Sequence, residues 1–185
     1  SARSFSAKPV AVFDFDNTCI FRDVGQAVFR SQLQHLRYRL RPEQLAAILP
    51  RIEGDLAGRP MTTITSTICA AYQRLWPLIT DNRTDQALLS PEYRLFAALL
   101  LWFADKARKD ERLGPRYVLP FMGKLLAGFT ADEVRQLAIE VVLAVRQEPL
   151  IEETLTCDAP EPLGRIAASY PLGLHAHPEM LALMR

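Results

Sequence analysis

Two aspartates one residue apart follow an apolar run near the N-terminus of the chain. The run spans Val10–Phe13, and Asp14, Asp16 and Thr18 come directly after it. An apolar run of this length, bounded by turn-forming residues, predicts a buried strand that ends at the aspartates. Alternate side chains of an extended segment share a face, so the two carboxylates are expected to lie close together. Two ionised carboxylates at such a short separation repel each other unless a cation or a proton lies between them. This spacing therefore indicates a metal-dependent site.

Composition and charge narrow the possible partners. The 185 residues are 49% hydrophobic and 23% charged, as expected of a globular protein with a sizeable core. The net charge of +1 gives no support to nucleic-acid binding or to binding at a membrane surface. No apolar run approaches the ~20 residues that a membrane-spanning helix needs. A cytoplasmic location is slightly favoured, and a periplasmic one stays open if a leader was removed before Ser1.

Most of the chain after the aspartates has helical periodicity. Asp23 is placed to cap a helix over Val24–Leu40 that would carry Arg30 on its polar side. Further helices are predicted over Pro42–Pro50, Pro91–Lys109, Val118–Ala127, from Thr130 onward and from Pro178 onward. A helix is also favoured over Thr62–Ile79, although the many threonines there leave a partial strand open. The segment from Glu148 to Gly173 is rich in Pro and Glu, and Ile166–Tyr170 within it could form a short strand or turn. One convincing strand therefore remains, and a lone strand leaves its backbone groups unpaired.

The segment Val10–Thr18, four apolar residues followed by D-x-D-x-T, resembles the first signature motif of the haloacid dehalogenase superfamily. The phosphoserine and phosphocholine phosphatase branch is the most similar. The helical segment after the motif is similar to the helical cap of that branch, Leu126–Val134 resembles its cap sequence, and Gly173–Met184 resembles the helix before its second motif. The resemblance implies an α/β fold, a Rossmannoid core with a large helical cap. Residues 1–22 would form the first strand and catalytic loop, residues 23–172 the cap, and residues 173–185 the return to the core.

The resemblance also implies a Mg²⁺-dependent phosphomonoester hydrolase that works through an aspartyl-phosphate intermediate. Asp14 would be the nucleophile, and Asp16 would donate a proton to the leaving oxygen. Mg²⁺ would be bound by Asp14 and by the backbone carbonyl of Asp16, because it prefers oxygen ligands. Thr18 would support the turn.

Asp23 has two interpretations that carry equal weight. It can cap the helix, or it can contact a substrate ammonium group, since phosphoserine phosphatases place an acidic residue nine positions after the nucleophile. No arginine matches the one with which that branch binds the substrate carboxylate, so an amine without a carboxylate, such as phosphocholine, is favoured over an amino acid. Four aromatic residues could form a cage for such an amine, although a place in the core is the better interpretation: Tyr72, Trp76, Tyr93 and Trp102.

Several residues that the family requires have no counterpart in this chain. These are a Ser or Thr after a second strand, a Lys after that, and a late acidic pair. We therefore expect the 185 residues to be the N-terminal part of a larger enzyme, poorly active alone, with the C-terminal portion or another copy of the chain as its partner. Two alternatives are a catalytically inactive helical binding domain on the same scaffold and a phosphotransferase of the same superfamily.

Overall fold

The computed structural model describes residues 14–183. Most of these residues are helical, and the strands among them form three antiparallel pairs. The predicted strand at Val10–Phe13 lies outside the described residues. The elements follow in this order: β1 (Ile20–Phe21), α1 (Val24–Gln34), α2 (Pro42–Ile48), β2 (Asp55–Leu56), β3 (Arg59–Pro60), α3 (Met61–Thr80), α4 (Thr84–Leu88), α5 (Pro91–Lys109), α6 (Gly114–Lys124), α7 (Ala131–Val145), β4 (Glu152–Asp158), β5 (Arg165–Pro171), β6 (His175–Ala176) and α8 (Pro178–Leu183).

Three helices begin where local capping signals predict. The carboxylate of Asp23 accepts the N–H of Gln26 at 2.8 Å in the first turn of α1. The hydroxyl of Ser90 caps α5 in the same way, and Thr130 and Glu133 form a reciprocal capping box at the start of α7. Each cap satisfies backbone N–H groups that have no partner within the helix, so these starts are confirmed.

Helix α1 is shorter than predicted because the chain reverses after Gln34. Leu36 adopts a left-handed conformation with a φ of 49°, and the N–H of Arg37 donates back to the carbonyl of Gln32 at 2.9 Å. This bond closes the end of the helix. Leu40, which was predicted to lie in the helix, is instead buried in the core beyond the reversal.

Helix α6 also differs from its predicted range of Val118–Ala127. It spans Gly114–Lys124, because Pro115 occupies its first turn, where a missing N–H costs nothing.

The short strand considered at Ile166–Tyr170 is present as β5, but the sequence did not predict its partner β4. Strands β4 and β5, of seven residues each, form an antiparallel hairpin that packs against α5. Strand β5 buries alternate residues, whereas β4 exposes Glu152, Glu153 and most of its other side chains. Strand β4 therefore has little of the apolar alternation by which a strand is predicted from sequence. The prediction of one lone strand was therefore wrong, and residues 23–172 contain a hairpin as well as helices.

Two apolar clusters organise the packing. The larger one joins α3, α5, the end of α1 and β5. It includes the four aromatic residues considered above for an amine cage; Tyr72 and Trp102 are fully buried, and Trp76 and Tyr93 are partly so, which supports their interpretation as core.

The second cluster packs α1 against α7. It also includes Ile20 of β1 and Leu174, the residue before β6. Strand β1 pairs antiparallel with β6, so the chain enters and leaves the segment between them at one place. No helix among residues 14–183 combines the length and apolar character required to cross a bilayer.

Candidate functional site

A tight backbone turn follows Asp14. The carbonyl of Phe15 accepts N–H groups from Thr18 at 3.4 Å, Cys19 at 2.9 Å and Ile20 at 3.2 Å. The thiol of Cys19 also donates to the carbonyl of Asp14 at 3.1 Å. Thr18 thus takes part in the turn through its backbone, while its side chain is exposed.

Asn17 closes the same turn against Arg22. Its N–H donates to the carbonyl of Arg22 at 3.1 Å, and its side-chain oxygen accepts the N–H of Arg22 at 3.0 Å. Asn17 has a φ of 55°, a left-handed conformation that asparagine tolerates better than most residues. The sequence places turn-forming residues after the apolar run, but it does not indicate that Asn17 would bind Arg22.

The carboxylates of Asp14 and Asp16 have different surroundings. Asp14 is exposed, and its Oδ1 accepts the N–H of Phe15 at 2.9 Å. Asp16 is partly buried, and its Oδ1 accepts the N–H of Val24, the first residue of α1, at 3.1 Å. The turn therefore ties Asp16 to the same helix end that Asp23 caps.

Asp23 acts as the helix cap, so that interpretation is confirmed. Asp23 also lines a cavity of about 320 Å³ between α1, α5 and the β4–β5 hairpin. The cavity wall includes Gln26, Arg30, Asp105 and Tyr170. One residue thus combines a capping bond with a place in the wall of a ligand-sized space.

Arg30 is the most deeply buried charged residue of this cavity. Its side chain is 5% exposed, and its Nη2 lies 2.6 Å from Oε2 of Glu148. Its Nη1 donates to the carbonyl of Pro171 at 3.0 Å. The prediction that Arg30 lies on the polar side of α1 was wrong, because Glu148, a partner 118 positions away, holds it inside.

Glu148 also contacts the segment between β5 and β6 and the first residue of β6. Its Oε2 also accepts the N–H of Gly173 at 3.1 Å. A ring nitrogen of His175 lies 2.9 Å from its backbone carbonyl. Arg30, Glu148 and Gly173 therefore connect α1 to the segment that leads into β6.

Two other groups of the cavity have altered pKa values. Partial burial acts to raise the pKa of Asp105, but hydrogen bonds from Lys109 and Lys106 outweigh it, so the pKa lies below its ordinary value. Burial and a hydrogen bond to Glu153 raise the pKa of Tyr170 to about 12. Asp105 is thus an ionised group that is already paired, and Tyr170 is a neutral hydrogen-bond donor.

Among residues 14–183, no cluster of three or more His, Cys, Asp or Glu side chains is arranged to hold a metal ion. The Mg²⁺ ligands predicted from the sequence are two oxygen groups, the carboxylate of Asp14 and the backbone carbonyl of Asp16. Neither strand of the β4–β5 hairpin ends in the Ser or Thr that the family requires; β4 ends at Asp158 and β5 at Pro171.

No protein-family model matches the chain, and no curated protein matches it. A solved structure is similar to it, that of a conserved protein of unknown function from Anaerococcus prevotii. The two share 22% sequence identity and superpose with a TM-score of 0.74 over 96% of this chain and 50% of the other. The likeness shows a shared fold, and this chain spans about half of the other protein's length.

Proposed function

We propose that the protein is a phosphomonoester hydrolase in which Asp14 is the nucleophile and Asp16 the proton donor and acceptor. The observation that carries the proposal is the D-x-D-x-T sequence from Asp14 to Thr18 on a hydrogen-bonded turn beside a cavity. The turn leaves the carboxylate of Asp14 exposed to an incoming ester and holds that of Asp16 at the start of α1. A nucleophile and a positioned acid are the minimum that this two-step reaction needs.

In the first step a carboxylate oxygen of Asp14 forms a bond to phosphorus while the bond from phosphorus to the leaving oxygen breaks. Asp16 donates its proton to that leaving oxygen, which departs as an alcohol. The bond from the N–H of Val24 to Oδ1 orients the carboxyl group of Asp16, so its other oxygen is the one proposed to transfer the proton.

In the second step water attacks the aspartyl-phosphate at phosphorus. The Asp16 carboxylate accepts a proton from this water, the acyl–phosphate bond breaks, and Asp14 is regenerated with release of inorganic phosphate. Asp16 thereby returns to its protonated state, and the cycle balances.

The donors of the turn fit Mg²⁺ in kind. They are a carboxylate from Asp14 and a backbone carbonyl from Asp16, and Mg²⁺ is often held by one or two carboxylates together with water and substrate phosphate. When bound, Mg²⁺ would neutralise negative charge on the phosphate group.

We also propose the finer architecture, a haloacid dehalogenase-like core to which residues 14–22 and 173–183 belong and a cap formed by residues 23–172. The antiparallel pairing of Ile20 with Ala176 and of Phe21 with His175 supports it. An inserted domain requires this arrangement, because its two ends must leave and re-enter the core side by side.

The test is hydrolysis of an aryl phosphate by the native protein with Mg²⁺, comparing Asp14→Asn with Asp132→Asn. The first change removes the proposed nucleophile and is expected to lower kcat by at least about 10³-fold. The control removes an exposed carboxylate on α7 and should leave kcat unchanged. Peptide mass spectrometry after an acid quench should locate a phosphoryl group on Asp14. Equal activity of Asp14→Asn and the unaltered protein would rule out the proposed nucleophile.

A further inference from the structure

We propose that the cavity between α1, α5 and the β4–β5 hairpin binds the organic part of the substrate, and that this part is uncharged and hydroxyl-rich. The inference rests on the proposed function only for the phosphoryl end of that substrate. It differs from the amine-bearing substrate that the sequence favoured.

The cavity lies beside the turn that carries the two aspartates. Asp23 lines it and directly precedes Val24, whose N–H is bound by Asp16. Arg22, another lining residue, is bound by Asn17 of the same turn. A phosphoryl group at the turn can therefore have its organic substituent in the cavity.

Two charged groups of the cavity wall are paired within the protein, and the formal charges of its ionisable residues sum to zero. Arg30 is neutralised by Glu148 at 2.6 Å, and Asp105 is paired with Lys106 at 2.9 Å and Lys109 at 2.6 Å. Asp23 uses Oδ1 to cap α1. The wall contains three arginines and three carboxylates, namely Arg22, Arg30, Arg108, Asp23, Asp105 and Glu152.

A charged ligand group would find no surplus of opposite charge in this wall. Moving an ammonium or a carboxylate out of water is costly where the surrounding wall has no net charge of the opposite sign. Hydroxyl groups avoid that cost, because each one donates and accepts hydrogen bonds while remaining neutral. The apolar part of the wall, with Phe29, Leu101 and Met122, suits the C–H faces of a carbohydrate-like skeleton.

Arg30 provides a second, independent observation. Its Nε is buried and has no hydrogen-bond partner within residues 14–183. A buried donor without an acceptor is unfavourable, and a small adjustment of the side chain toward the cavity would let a ligand oxygen accept from it. A hydroxyl oxygen supplies that acceptor without adding a second negative charge beside Glu148.

The size of the cavity agrees with a small polyol. Its volume of about 320 Å³ lies at the lower end of the range for ligand pockets, roughly 300–1,000 Å³. A six-carbon sugar phosphate or a smaller polyol phosphate is therefore the substrate class to test.

The experiment compares esters that differ in one charged group. With the native protein and Mg²⁺, kcat/KM is measured for glucose 6-phosphate, glucosamine 6-phosphate and 6-phosphogluconate. The shorter series uses glycerol 3-phosphate, phosphoethanolamine and O-phosphoserine. In at least one series the neutral ester is expected to have a kcat/KM about tenfold or more above both charged ones; if it leads in neither series, the proposal is overturned.

Two variants connect the preference to the cavity. Gln26→Trp places a large side chain in the cavity from α1 and should lower kcat/KM for the preferred ester by at least tenfold. Gln136→Trp is the matched control on the exposed face of α7 and should change nothing. If Gln26→Trp does not fold, Arg108→Trp fills the cavity from α5 with the same expectation. Unchanged kinetics in a folded cavity variant contradict the proposal.

Binding separates this proposal from the proposed hydrolysis. If an aryl phosphate is cleaved but no neutral ester is preferred, the substrate class is wrong while the hydrolase proposal stands. If no phosphate ester is cleaved, ligand-observed NMR with the same six esters decides. Preferential binding of a neutral ester that Gln26→Trp abolishes supports the cavity assignment, and absence of that binding overturns it.

Discussion

Asn17 shows how one side chain shapes the proposed catalytic turn. It pairs with Arg22 through both its backbone N–H and its side-chain oxygen, and these bonds close the loop that contains Thr18 and directly follows Asp16. The left-handed φ of 55° is tolerated because the residue is asparagine. Asn82 has the same φ at the end of α3, and its N–H donates to the carbonyl of Ile79.

Replacing Asn17 should loosen the turn more than replacing Asn82. Asn17→Ala removes the side-chain acceptor of the Arg22 N–H and leaves alanine in a left-handed conformation, at a cost of about 1–2 kcal/mol in the local opening free energy. Hydrogen exchange of the Arg22 amide should therefore become about tenfold faster or more. Asn82→Ala, the control, should leave that amide unchanged. An Arg22 exchange rate in Asn17→Ala equal to that of the unaltered protein would contradict the role of Asn17.

Helix α7 shows how a tertiary contact strengthens a local signal at the scale of one element. Its capping box joins Thr130 and Glu133, and both oxygens of Glu133 also receive hydrogen bonds from Arg39, at 2.8 and 2.9 Å. The guanidinium of Arg39 in turn lies 4.3 Å from the ring centre of Phe129. Hydrogen bonds from Arg39 and from Thr130 lower the pKa of Glu133 to about 2.

This pKa predicts how α7 responds to acid. The ordinary pKa of a Glu in an unfolded chain is about 4.3, so the contribution of Glu133 to stability is fully present above that pH and is lost as pH falls toward 2. Glu133→Gln should therefore be less stable than the unaltered protein at pH 6, and the gap should shrink between pH 5 and pH 2. Urea unfolding at several pH values measures it.

Asp132→Asn is the matched control for this prediction. It removes a neighbouring carboxylate, which pairs with Arg135 on its own helix at 3.1 Å. A stability gap for Glu133→Gln that does not change with pH, or that follows the same course as the gap for Asp132→Asn, would contradict the assignment.

The contact among Arg30, Glu148 and Gly173 joins distant parts of the chain at the scale of the whole molecule. It connects α1 with the end of the β4–β5 hairpin and the approach to β6. Gly173 has a φ of 76°, and a Cβ there would lie 2.7 Å from the carbonyl oxygen of Pro149 and 2.9 Å from that of Glu148. Only glycine fits this close approach.

Gly173→Ala should be strongly destabilising. The left-handed conformation costs alanine about 1–2 kcal/mol, and the backbone clash adds about 1–3 kcal/mol. Gly58→Ala is the control, because Gly58 has a φ of 77° but no atom within 4 Å of its Cβ position. Urea unfolding should therefore show a loss of about 1–2 kcal/mol for Gly58→Ala and a clearly larger loss for Gly173→Ala. Equal losses would contradict the predicted backbone clash, because the segment around Pro149 would then have moved away from the added Cβ at no cost in stability.

Much of the helical architecture could be predicted from the sequence because its signals are local. Asp23, Ser90 and Thr130 cap helices through bonds to residues within three positions, so the starts of α1, α5 and α7 follow from short stretches of chain. The D-x-D-x-T motif is equally local, and the roles of Asp14 and Asp16 remain a prediction that the proposed kinetics will test.

The features that only the tertiary structure decided involve partners far apart in the chain. The burial of Arg30 depends on Glu148, 118 positions away, and the cavity forms where α1, α5 and the hairpin meet. Strand β4 is polar over most of its length and becomes a strand because β5 pairs with it. Local propensity carries no information about such pairings, because their free energy arises only when the distant segments come into contact. The sequence by itself thus determined the starts of α1, α5 and α7 and predicts which carboxylates react, and the folded chain decided what surrounds them.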